Sequence, residues 1–319
     1  MNGSRTARVT VPATSANLGA GFDCVGMAVD RWLTASVVAH EHDQSADRAT
    51  REPAIGVTRS GSLASLDVAP ADDALVQGFV AACAARGRDV PARLEFIVDS
   101  DIPVARGLGS SSAALVAGVR LANEALELRL SLAEVAALCT GLEGHPDNVA
   151  PAVFGGLVLA VPDGAAPPGW AFAPLSVHED LAFVFIIPPF LVETARARAA
   201  LPTDVRHGVA VSAAGKAAAL VHGLASGDGA FLRIALDDVL HVPYRRGLVP
   251  ALTHVHDAAC SAGAFGATLS GSGSTLVAVA PQRSADAVAV AMQHAWSAHR
   301  VSAETFVQRR PAIVRPPEK

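Results

Sequence analysis

A glycine- and serine-rich segment, PVARGLGSSSA at residues 103–113, constrains the fold more than any other part of the chain. The apolar run at 94–98 before it is typical of a strand, and the alanine-rich amphipathic run at 113–126 after it is typical of a helix. A strand, a glycine loop and a helix in this order direct unpaired N–H groups and the positive end of the helix dipole towards an anion. The sequence therefore predicts a phosphate-binding site in this segment, which we call the phosphate loop.

The residues of the phosphate loop also allow a purely structural interpretation, and they exclude the common P-loop pattern. A tight turn with a serine N-cap would use the same amino acids without binding a ligand. No lysine follows the last glycine, so the segment does not match the common P-loop pattern. Its three serines offer hydroxyl groups to phosphate oxygens or to a hydrated magnesium ion. The segment alone therefore leaves a nucleotide site and a structural turn both open.

The remaining periodicities indicate an α+β fold. Strand-like runs lie at residues 7–11, 33–39, 156–161, 181–187, 275–280 and 303–308, and helical patterns lie at 72–86, 193–200, 209–225, 248–262 and 284–299. Ser131 and Glu134 form a capping-box pattern that begins a further helix, ending near Leu142. A segment rich in proline and glycine at 162–169 predicts a domain boundary, with domains at 1–165 and 166–319. A polar, charged loop is expected at 41–53.

Composition excludes several classes of protein. The net charge is −5 with 17% charged residues and no basic block, which argues against a nucleic-acid surface. The four cysteines are scattered without metal-site spacing, which indicates a reducing compartment. Neither a signal-peptide core nor a run of about 18 apolar residues is evident, so we expect a cytoplasmic protein that does not contact a membrane.

Two further segments resemble, together with the phosphate loop, the GHMP kinase superfamily, named for galactokinase, homoserine kinase, mevalonate kinase and phosphomevalonate kinase. The N-terminal motif, PATSANLGAGFDCVGM at 12–27, and the C-terminal glycine loop, TLSGSGSTLV at 268–277, have the order and approximate spacing of that superfamily. Within it, the N-terminal motif is similar to that of homoserine kinases. So are EGHPDNVAP at 143–151, FGGL at 154–157, TARARAALP at 194–202 and HVPYR at 241–245. The likeness extends from about Val9 to about Phe306.

The resemblance implies a two-domain GHMP kinase fold, with an N-terminal domain like domain 2 of ribosomal protein S5 and a ferredoxin-like C-terminal domain. The active site is expected in the cleft between them. The implied activity is ATP-dependent phosphorylation of the L-homoserine hydroxyl, giving O-phospho-L-homoserine for threonine biosynthesis. The substrates would be L-homoserine and ATP, with Mg²⁺ as the metal, and the family implies a homodimer.

The resemblance also assigns site residues. The ATP-binding residues would be Pro103, Val104, Ala105, Arg106, Gly107, Leu108, Gly109, Ser110, Ser111, Ser112 and Ala113, and the metal ligands Ser111 and Glu143. The substrate-binding residues would be Asn17, Asp23, His145, Asn148, Arg198 and Arg245, with Asp23 on the ammonium group and the two arginines on the carboxylate. The catalytic residues would be Asn17, Thr194 and Glu143. No general base is evident, so we expect catalysis by positioning and charge neutralisation, with Thr194 accepting a hydrogen bond from the attacking hydroxyl.

Two positions depart from the family pattern. Ser274 replaces the proline or alanine of many relatives, and Ala74 replaces a frequent asparagine, which puts a side-chain contact to adenine in doubt. Two alternative functions remain: a kinase of the same superfamily for another small alcohol, such as mevalonate, and a non-catalytic ligand sensor on the same fold. Mevalonate has no ammonium group for Asp23 to bind, and a sensor is expected to lose the phosphate loop or Glu143.

Overall fold

The first of two sheets is built around one long strand. The computed structural model describes residues 4–41, 53–164 and 169–314. In it, β2 spans Gly21–His40, with β1 (Ser4–Asn17) antiparallel along one edge. Different halves of β2 pair on the other edge with β4 (Arg93–Ser100) and β5 (Leu157–Pro162); β3 (Ala54–Gly61) and β6 (Trp170–Leu175) complete the order β3-β4-β2-β5-β6. The pairing of β1 with β2 shifts register between Pro12 and Ala13 and between Ala16 and Asn17, and the unpaired residues at both shifts lie on β2.

Four helices pack on this first sheet, namely α1 (Ala74–Ala85), α2 (Ser110–Ala125), α3 (Leu132–Glu143) and α4 (Val149–Phe154). The helices α1 and α2 cross closely because a glycine of each faces the backbone of the other: a Cβ on Gly118 would lie 1.9 Å from the carbonyl oxygen of Leu75, and one on Gly78 would lie 2.3 Å from that of Leu115. The capping box at Ser131 and Glu134 is confirmed, since each side chain accepts from the other residue's backbone N–H. This packing holds the start of α2 and the end of α3 next to each other.

The second sheet has the order β10-β7-β9-β8 and is antiparallel throughout. Its strands are β7 (Leu181–Ile187), β8 (Gly266–Leu269), β9 (Leu276–Pro281) and β10 (Glu304–Gln308), and its helices are α5 (Thr194–Ala199), α6 (His207–Ser226), α7 (Gly229–Leu236), α8 (Val242–Arg245), α9 (Leu252–Ser261) and α10 (Ala285–Ala298). Every residue of β7 is buried, because both faces of the sheet are covered. Phe183 and Phe185 continue the core of the first lobe, whereas Val184 and Ile186 pack with α9 and α10.

The chain is thus an α+β protein with two lobes, as predicted. The first sheet continues to Leu175, so the chain enters the second sheet between Leu175 and Leu181. The proposed boundary at 165/166 lies among residues 165–168, outside the described part, and most of the charged loop at 41–53 also lies outside it. The boundary therefore stays a prediction.

One helix among the described ranges, α6, is long and apolar enough to cross a membrane by length and composition. No such segment was expected from the sequence. Alanine and glycine account for much of its apolar content, and its Leu220 and Leu224 are buried in the core of the first lobe together with Leu232 of α7. Most other residues of α6 are exposed or half-buried, and its length and composition alone do not assign a membrane span.

Candidate active site

The phosphate loop, the N-terminal motif and the C-terminal glycine loop meet in the structure. The backbone N–H of Thr14 donates to the carbonyl of Leu108 at 3.0 Å, and that of Thr275 donates to the carbonyl of Arg106 at 3.1 Å. Ser270 Oγ donates to the carbonyl of Gly107 at 2.6 Å. Segments far from the loop in sequence, with Ser270 and Gly107 separated by 163 positions, therefore fix its conformation.

The helix α2 begins at Ser110, three residues before the start expected from periodicity. Its N-cap is Gly109, which has a φ of +67° and no side chain, and a Cβ there would lie 1.9 Å from Thr14 Oγ1. A side chain at this position is excluded both by the left-handed backbone and by lack of space. The three serines thus form the first turn of the helix, where backbone N–H groups have no intrahelical partner and can bind an anion.

A carboxylate lies beside this first turn. Glu143, the last residue of α3, accepts a hydrogen bond from Ser112 Oγ at 2.8 Å. The sequence had paired Glu143 with Ser111 instead. Ser111 lines the same cavity and is exposed, whereas Ser112 is buried. The structure therefore brings two serines of one helical turn near a single carboxylate, and it is Ser112 that contacts it.

Asn17 and Asp23 occupy left-handed backbone conformations, with φ of 75° and 54°. Such values are uncommon for residues with side chains and recur at functional sites. Asn17 Oδ1 accepts from the backbone N–H of Asp23 at 3.0 Å, and Asn17 Nδ2 donates to the carbonyl of Gly271 at 3.2 Å. The two residues of the N-terminal motif therefore support each other and face the C-terminal glycine loop.

Arg198 and Asp23 form a bidentate ion pair across the cleft. Arg198 Nη2 lies 2.9 Å from Asp23 Oδ1, and Arg198 Nη1 lies 3.2 Å from Asp23 Oδ2. Both side chains are about one-third exposed, at 37% and 33%. Because each side chain keeps about a third of its surface exposed, a ligand with one positive and one negative group can reach both of them.

Arg245 is held differently from Arg198. It is only 3% exposed, and its Nε donates to the carbonyl of Ala197 at 3.1 Å, while Nη1 donates to the carbonyl of Gly271 at 3.2 Å. Its guanidinium also lies 5.4 Å from the ring centre of Phe22. Burial, followed by repulsion from Arg198, lowers its pKa. Arg245 thus contributes positive charge to the site and also joins α5 to the C-terminal glycine loop.

The turn before α4 supplies three further polar side chains. His145 Nδ1 lies 2.5 Å from Asp147 Oδ1, and Asn148 Oδ1 accepts from Thr14 Oγ1 at 2.8 Å. Burial alone would lower the pKa of His145, but the hydrogen bond and charge of Asp147 outweigh it, so the pKa is raised. A carboxylate oxygen of Asp23, a ring nitrogen of His145 and a carboxylate oxygen of Asp147 lie within 4.8 Å of one another. Carboxylates and cationic groups are therefore interleaved around Asp23.

These groups line one cavity of about 310 Å³, a volume within the range of small-molecule sites. Its walls include every site residue expected from the sequence except Pro103 and Ala113, and Thr194 lies on them at the start of α5. The neighbouring arginines Arg196 and Arg246, which belong to the same two sequence regions, are exposed and do not line it. The expected active-site residues thus come from both lobes of the fold.

The remaining wall of the cavity is largely apolar, and the sequence motifs did not predict it. It comes from β3, from the segment that follows it and from α1, with the side chains Val57, Leu63, Leu66, Val68 and Leu75. Three charged residues lie on it: Asp72, which is exposed, and Arg59 and Asp73, which form an ion pair. The strand β3 was not predicted, because part of its neighbourhood in sequence is polar and charged. Its alternation in AIGVTRSG was the available signal.

Two family models match the chain: the GHMP kinases N terminal domain over residues 74–156, and the GHMP kinases C terminal model over residues 220–298. A homoserine kinase of Nostoc punctiforme is 39% identical over 296 residues, which is 93% of each chain. A homoserine kinase of a Synechococcus strain is 41% identical over 295 residues, or 92% of each chain. The crystal structure of a homoserine kinase from Cytophaga hutchinsonii has a TM-score of 0.81 at 27% identity, covering 96% of this chain and 95% of that one.

Proposed function

This chain belongs to the homoserine kinases of the GHMP kinase superfamily, and we propose that its cleft transfers the γ-phosphoryl group of ATP to the hydroxyl of L-homoserine. The products are O-phospho-L-homoserine and ADP, and the reaction supplies threonine biosynthesis. The family also implies a cytoplasmic location and a homodimer, and both stay predictions.

The observation that carries the proposal is the placement of opposite charges next to the phosphate loop. Asp23 and Arg198 face each other across the cleft, and the buried Arg245 adds a second positive charge. A zwitterionic amino acid satisfies this arrangement if its ammonium binds Asp23 and its carboxylate binds the guanidinium of Arg198. Arginine suits the carboxylate because its planar N–H groups match two oxygens. An alcohol without an ammonium group would offer the Asp23 carboxylate no cation to bind.

Binding positions the reactants for direct transfer. The N-terminal turn of α2 and the glycines of the phosphate loop hold the phosphates of ATP through backbone N–H groups. Asn17, His145 and Asn148 surround the bound amino acid and orient its hydroxyl towards the γ-phosphorus. Holding two reactants in attacking geometry removes much of the entropic barrier. The hydroxyl oxygen forms the new P–O bond while the bond to the β-phosphate oxygen breaks.

Thr194 accepts a hydrogen bond from the substrate hydroxyl in this proposal. Its position at the first residue of α5, in the wall of the cavity, supports that role. The hydroxyl proton leaves to water or to an oxygen of the transferred phosphoryl group as the P–O bond forms. His145 is poorly suited to accept it, since Asp147 raises its pKa and favours the protonated imidazole.

The donor set beside α2 fits a magnesium ion. Glu143 and the hydroxyls of Ser111 and Ser112 are hard oxygen ligands, and Mg²⁺ completes its shell with water and phosphate oxygens. When bound, the ion neutralises negative charge that develops on the phosphoryl oxygens and the leaving group. We assign Glu143 as the carboxylate ligand and the two serines as the candidates for the hydroxyl ligand.

Purified protein with ATP and Mg²⁺ is expected to release ADP with L-homoserine and to leave mevalonate unphosphorylated. The physical reason is that mevalonate offers a carboxylate to Arg198 but no cation to Asp23. A coupled ADP-release assay with homoserine, serine, mevalonate and shikimate measures this directly. Turnover of mevalonate without turnover of homoserine would contradict the proposal, and failure of all four substrates would favour the sensor alternative.

Arg245→Ala is expected to affect both stability and substrate binding. The change leaves the buried carbonyl of Ala197 without its donor, at a cost of about 1–3 kcal/mol, and leaves Asn17 Nδ2 as the remaining side-chain donor to the carbonyl of Gly271. Thermal unfolding should therefore begin at a lower temperature, and the KM for homoserine should rise. Arg246→Ala is the matched control, since that neighbouring side chain is exposed. An unchanged Tm with an unchanged KM would show that Arg245 has neither role.

A further inference from the structure

The histidine of the HVPYR motif is buried next to the arginine of the same motif. His241 is the N-cap residue of α8, and its side chain has no exposed surface. Its ring stacks on that of Phe22, with the ring centres 5.1 Å apart and an angle of 19° between the planes. The two ring nitrogens have different partners: Nε2 lies 3.2 Å from the carbonyl oxygen of Gly19, and Nδ1 lies 3.4 Å from Arg245 Nη1. His241 therefore connects the N-terminal motif with a charged residue of the cavity.

These two contacts determine the protonation of the His241 ring. A carbonyl oxygen only accepts hydrogen bonds, so Nε2 must carry a proton to bond with Gly19. A guanidinium only donates, so Nδ1 must offer its lone pair to Arg245. Only the neutral imidazole with its proton on Nε2 satisfies both partners.

Among the described residues, three charged groups act on this ring. Asp238, before α8, has a carboxylate oxygen 3.7 Å from Nε2, and Asp23 and Arg245 add one charge of each sign. The Asp238 carboxylate already accepts from the backbone N–H groups of residues 240–242, which stabilise it as an anion without a charged histidine. Burial of the ring outweighs the two carboxylates, so the pKa of His241 is lowered. The surroundings of His241 thus favour its neutral form.

His241 completes the set of hydrogen bonds that orients Arg245. Arg245 Nε donates to the carbonyl of Ala197, and Nη1 donates both to the carbonyl of Gly271 and to His241 Nδ1. Nη2 has no hydrogen-bond partner among the described residues, and Arg245 lines the cavity. The protein therefore occupies the N–H groups of Nε and Nη1, and those of Nη2 are available to the carboxylate of a substrate.

The other partner of His241 belongs to the segment that carries the ammonium site. Gly19 precedes Asp23 in the N-terminal motif. Its φ is +84°, and a Cβ there would lie 2.7 Å from the carbonyl oxygen of Ala235, so this close approach to α7 requires glycine. Its position is therefore fixed against the second lobe. One buried side chain thus links the segment of Asp23 to Arg245, and these two residues carry opposite charges for a zwitterionic substrate.

We propose that His241 is a positioning residue for the amino-acid substrate: as a neutral imidazole with its proton on Nε2, it fixes Arg245 relative to Asp23. The ammonium and carboxylate of an amino acid are attached to one carbon atom, so the groups that bind them need a defined spacing. Binding groups have to be held within about 0.5 Å of their productive geometry. This inference rests on the proposed function, because it takes L-homoserine as the ligand. His241 touches no reacting atom, so it should affect substrate binding and not the transfer step.

The test separates the ring of His241 from its hydrogen bonds. His241→Phe keeps a ring against Phe22 but offers no acceptor to Arg245, whereas His241→Asn loses the ring and places an amide oxygen near the position of Nδ1. His241→Phe is expected to raise the KM for homoserine about tenfold, the value of one hydrogen bond, with kcat and the KM for ATP within about twofold of wild type. His241→Asn should recover most of the loss. Tyr244→Phe, at an exposed side chain of the same motif, is the matched control and should behave as wild type.

A double-mutant cycle shows whether His241 acts through Arg245. Added to Arg245→Ala, His241→Phe should raise the KM for homoserine no further, because the side chain that it positions is absent. An increase of similar size in both backgrounds would overturn the inference. A lower Tm with an unchanged KM in His241→Phe would also overturn it and leave His241 a packing residue, as would a His241→Asn enzyme no better than His241→Phe.

Acid pH gives an independent readout of the same contact. Protonation would place an N–H on Nδ1 facing the Arg245 guanidinium, so the KM for homoserine should rise once the pH falls below the pKa of His241. Since that pKa is lowered, no rise is expected between about pH 8 and about pH 6.5. His241→Asn does not titrate and should lack the rise, while any effect of protonating Asp23 remains in both enzymes. The same acid dependence in both enzymes would contradict the inference.

Calorimetric binding of L-homoserine distinguishes this inference from the proposed function. If the wild type phosphorylates homoserine but His241→Phe binds it as tightly as the wild type does, the positioning inference fails and the function stands. If His241→Phe weakens homoserine binding and His241→Asn restores it, but the wild type releases no ADP, the inference stands and the proposed function fails.

Discussion

Glu143→Gln is expected to lower turnover with homoserine by about two to three orders of magnitude, since metal neutralisation of the transition state is worth several kcal/mol. The amide has nearly the same size and can still accept from Ser112 Oγ, so the helix end and the fold should persist. Its loss of charge removes the main ligand for the metal. The measurement is kcat as a function of Mg²⁺ concentration, together with circular dichroism of the folded protein.

The matched control for Glu143 is Glu193→Gln, which removes an exposed carboxylate at the N-cap of α5. That variant should retain kcat near the wild-type value. The two serines extend the test: Ser112→Ala and Ser111→Ala remove neighbouring hydroxyls of the same turn, and the one that raises the Mg²⁺ requirement identifies the hydroxyl ligand. A Glu143→Gln enzyme within a few-fold of wild type at ordinary Mg²⁺ concentration would remove Glu143 from the metal site.

Arg198→Ala is expected to raise the KM for homoserine about 10- to 150-fold, because a hydrogen bond to a charged group contributes roughly 1.5–3 kcal/mol. The KM for ATP should change little. Arg198→Lys should recover part of the loss, since a single ammonium cannot reproduce the two parallel N–H groups seen in the pair with Asp23. Because Arg198 is over one-third exposed, its replacement should leave the Tm nearly unchanged, in contrast to Arg245.

Arg196→Ala provides the internal control for Arg198, since the two residues lie two positions apart on α5 and Arg196 is exposed. Steady-state kinetics of both variants with homoserine as the varied substrate give the comparison. A large increase in KM for Arg196→Ala, with an unchanged KM for Arg198→Ala, would mean that the wrong arginine of the motif TARARAALP had been assigned to the substrate carboxylate. Normal kinetics in both would indicate that backbone N–H groups, rather than arginines, hold the carboxylate.

Long periodic segments could be predicted from the sequence with small errors. The strand β7 was predicted at its observed limits, and α3 was predicted with its capping box, because apolar runs and cap residues act through local physics. Short elements were missed, among them β6, α7 and β8. The strands β6 and β8 are short and are held by pairing with β5 and β9, so they carry little periodicity of their own. The helix α7 is short but amphipathic, and its pattern GAFLRIAL was an available signal.

The sequence by itself determined the family, the α+β class and the residue types of the cleft, since glycines, serines and charged residues occur in motifs whose chemistry is local. The tertiary structure decided which of them meet. A helix turns by about 100° per residue, so neighbouring serines point in different directions, and only the docking of α2 against α3 selects Ser112 as the partner of Glu143. Likewise, only the packing of β3 and α1 pairs Arg59 with Asp73, because side chains distant in sequence become neighbours through folding.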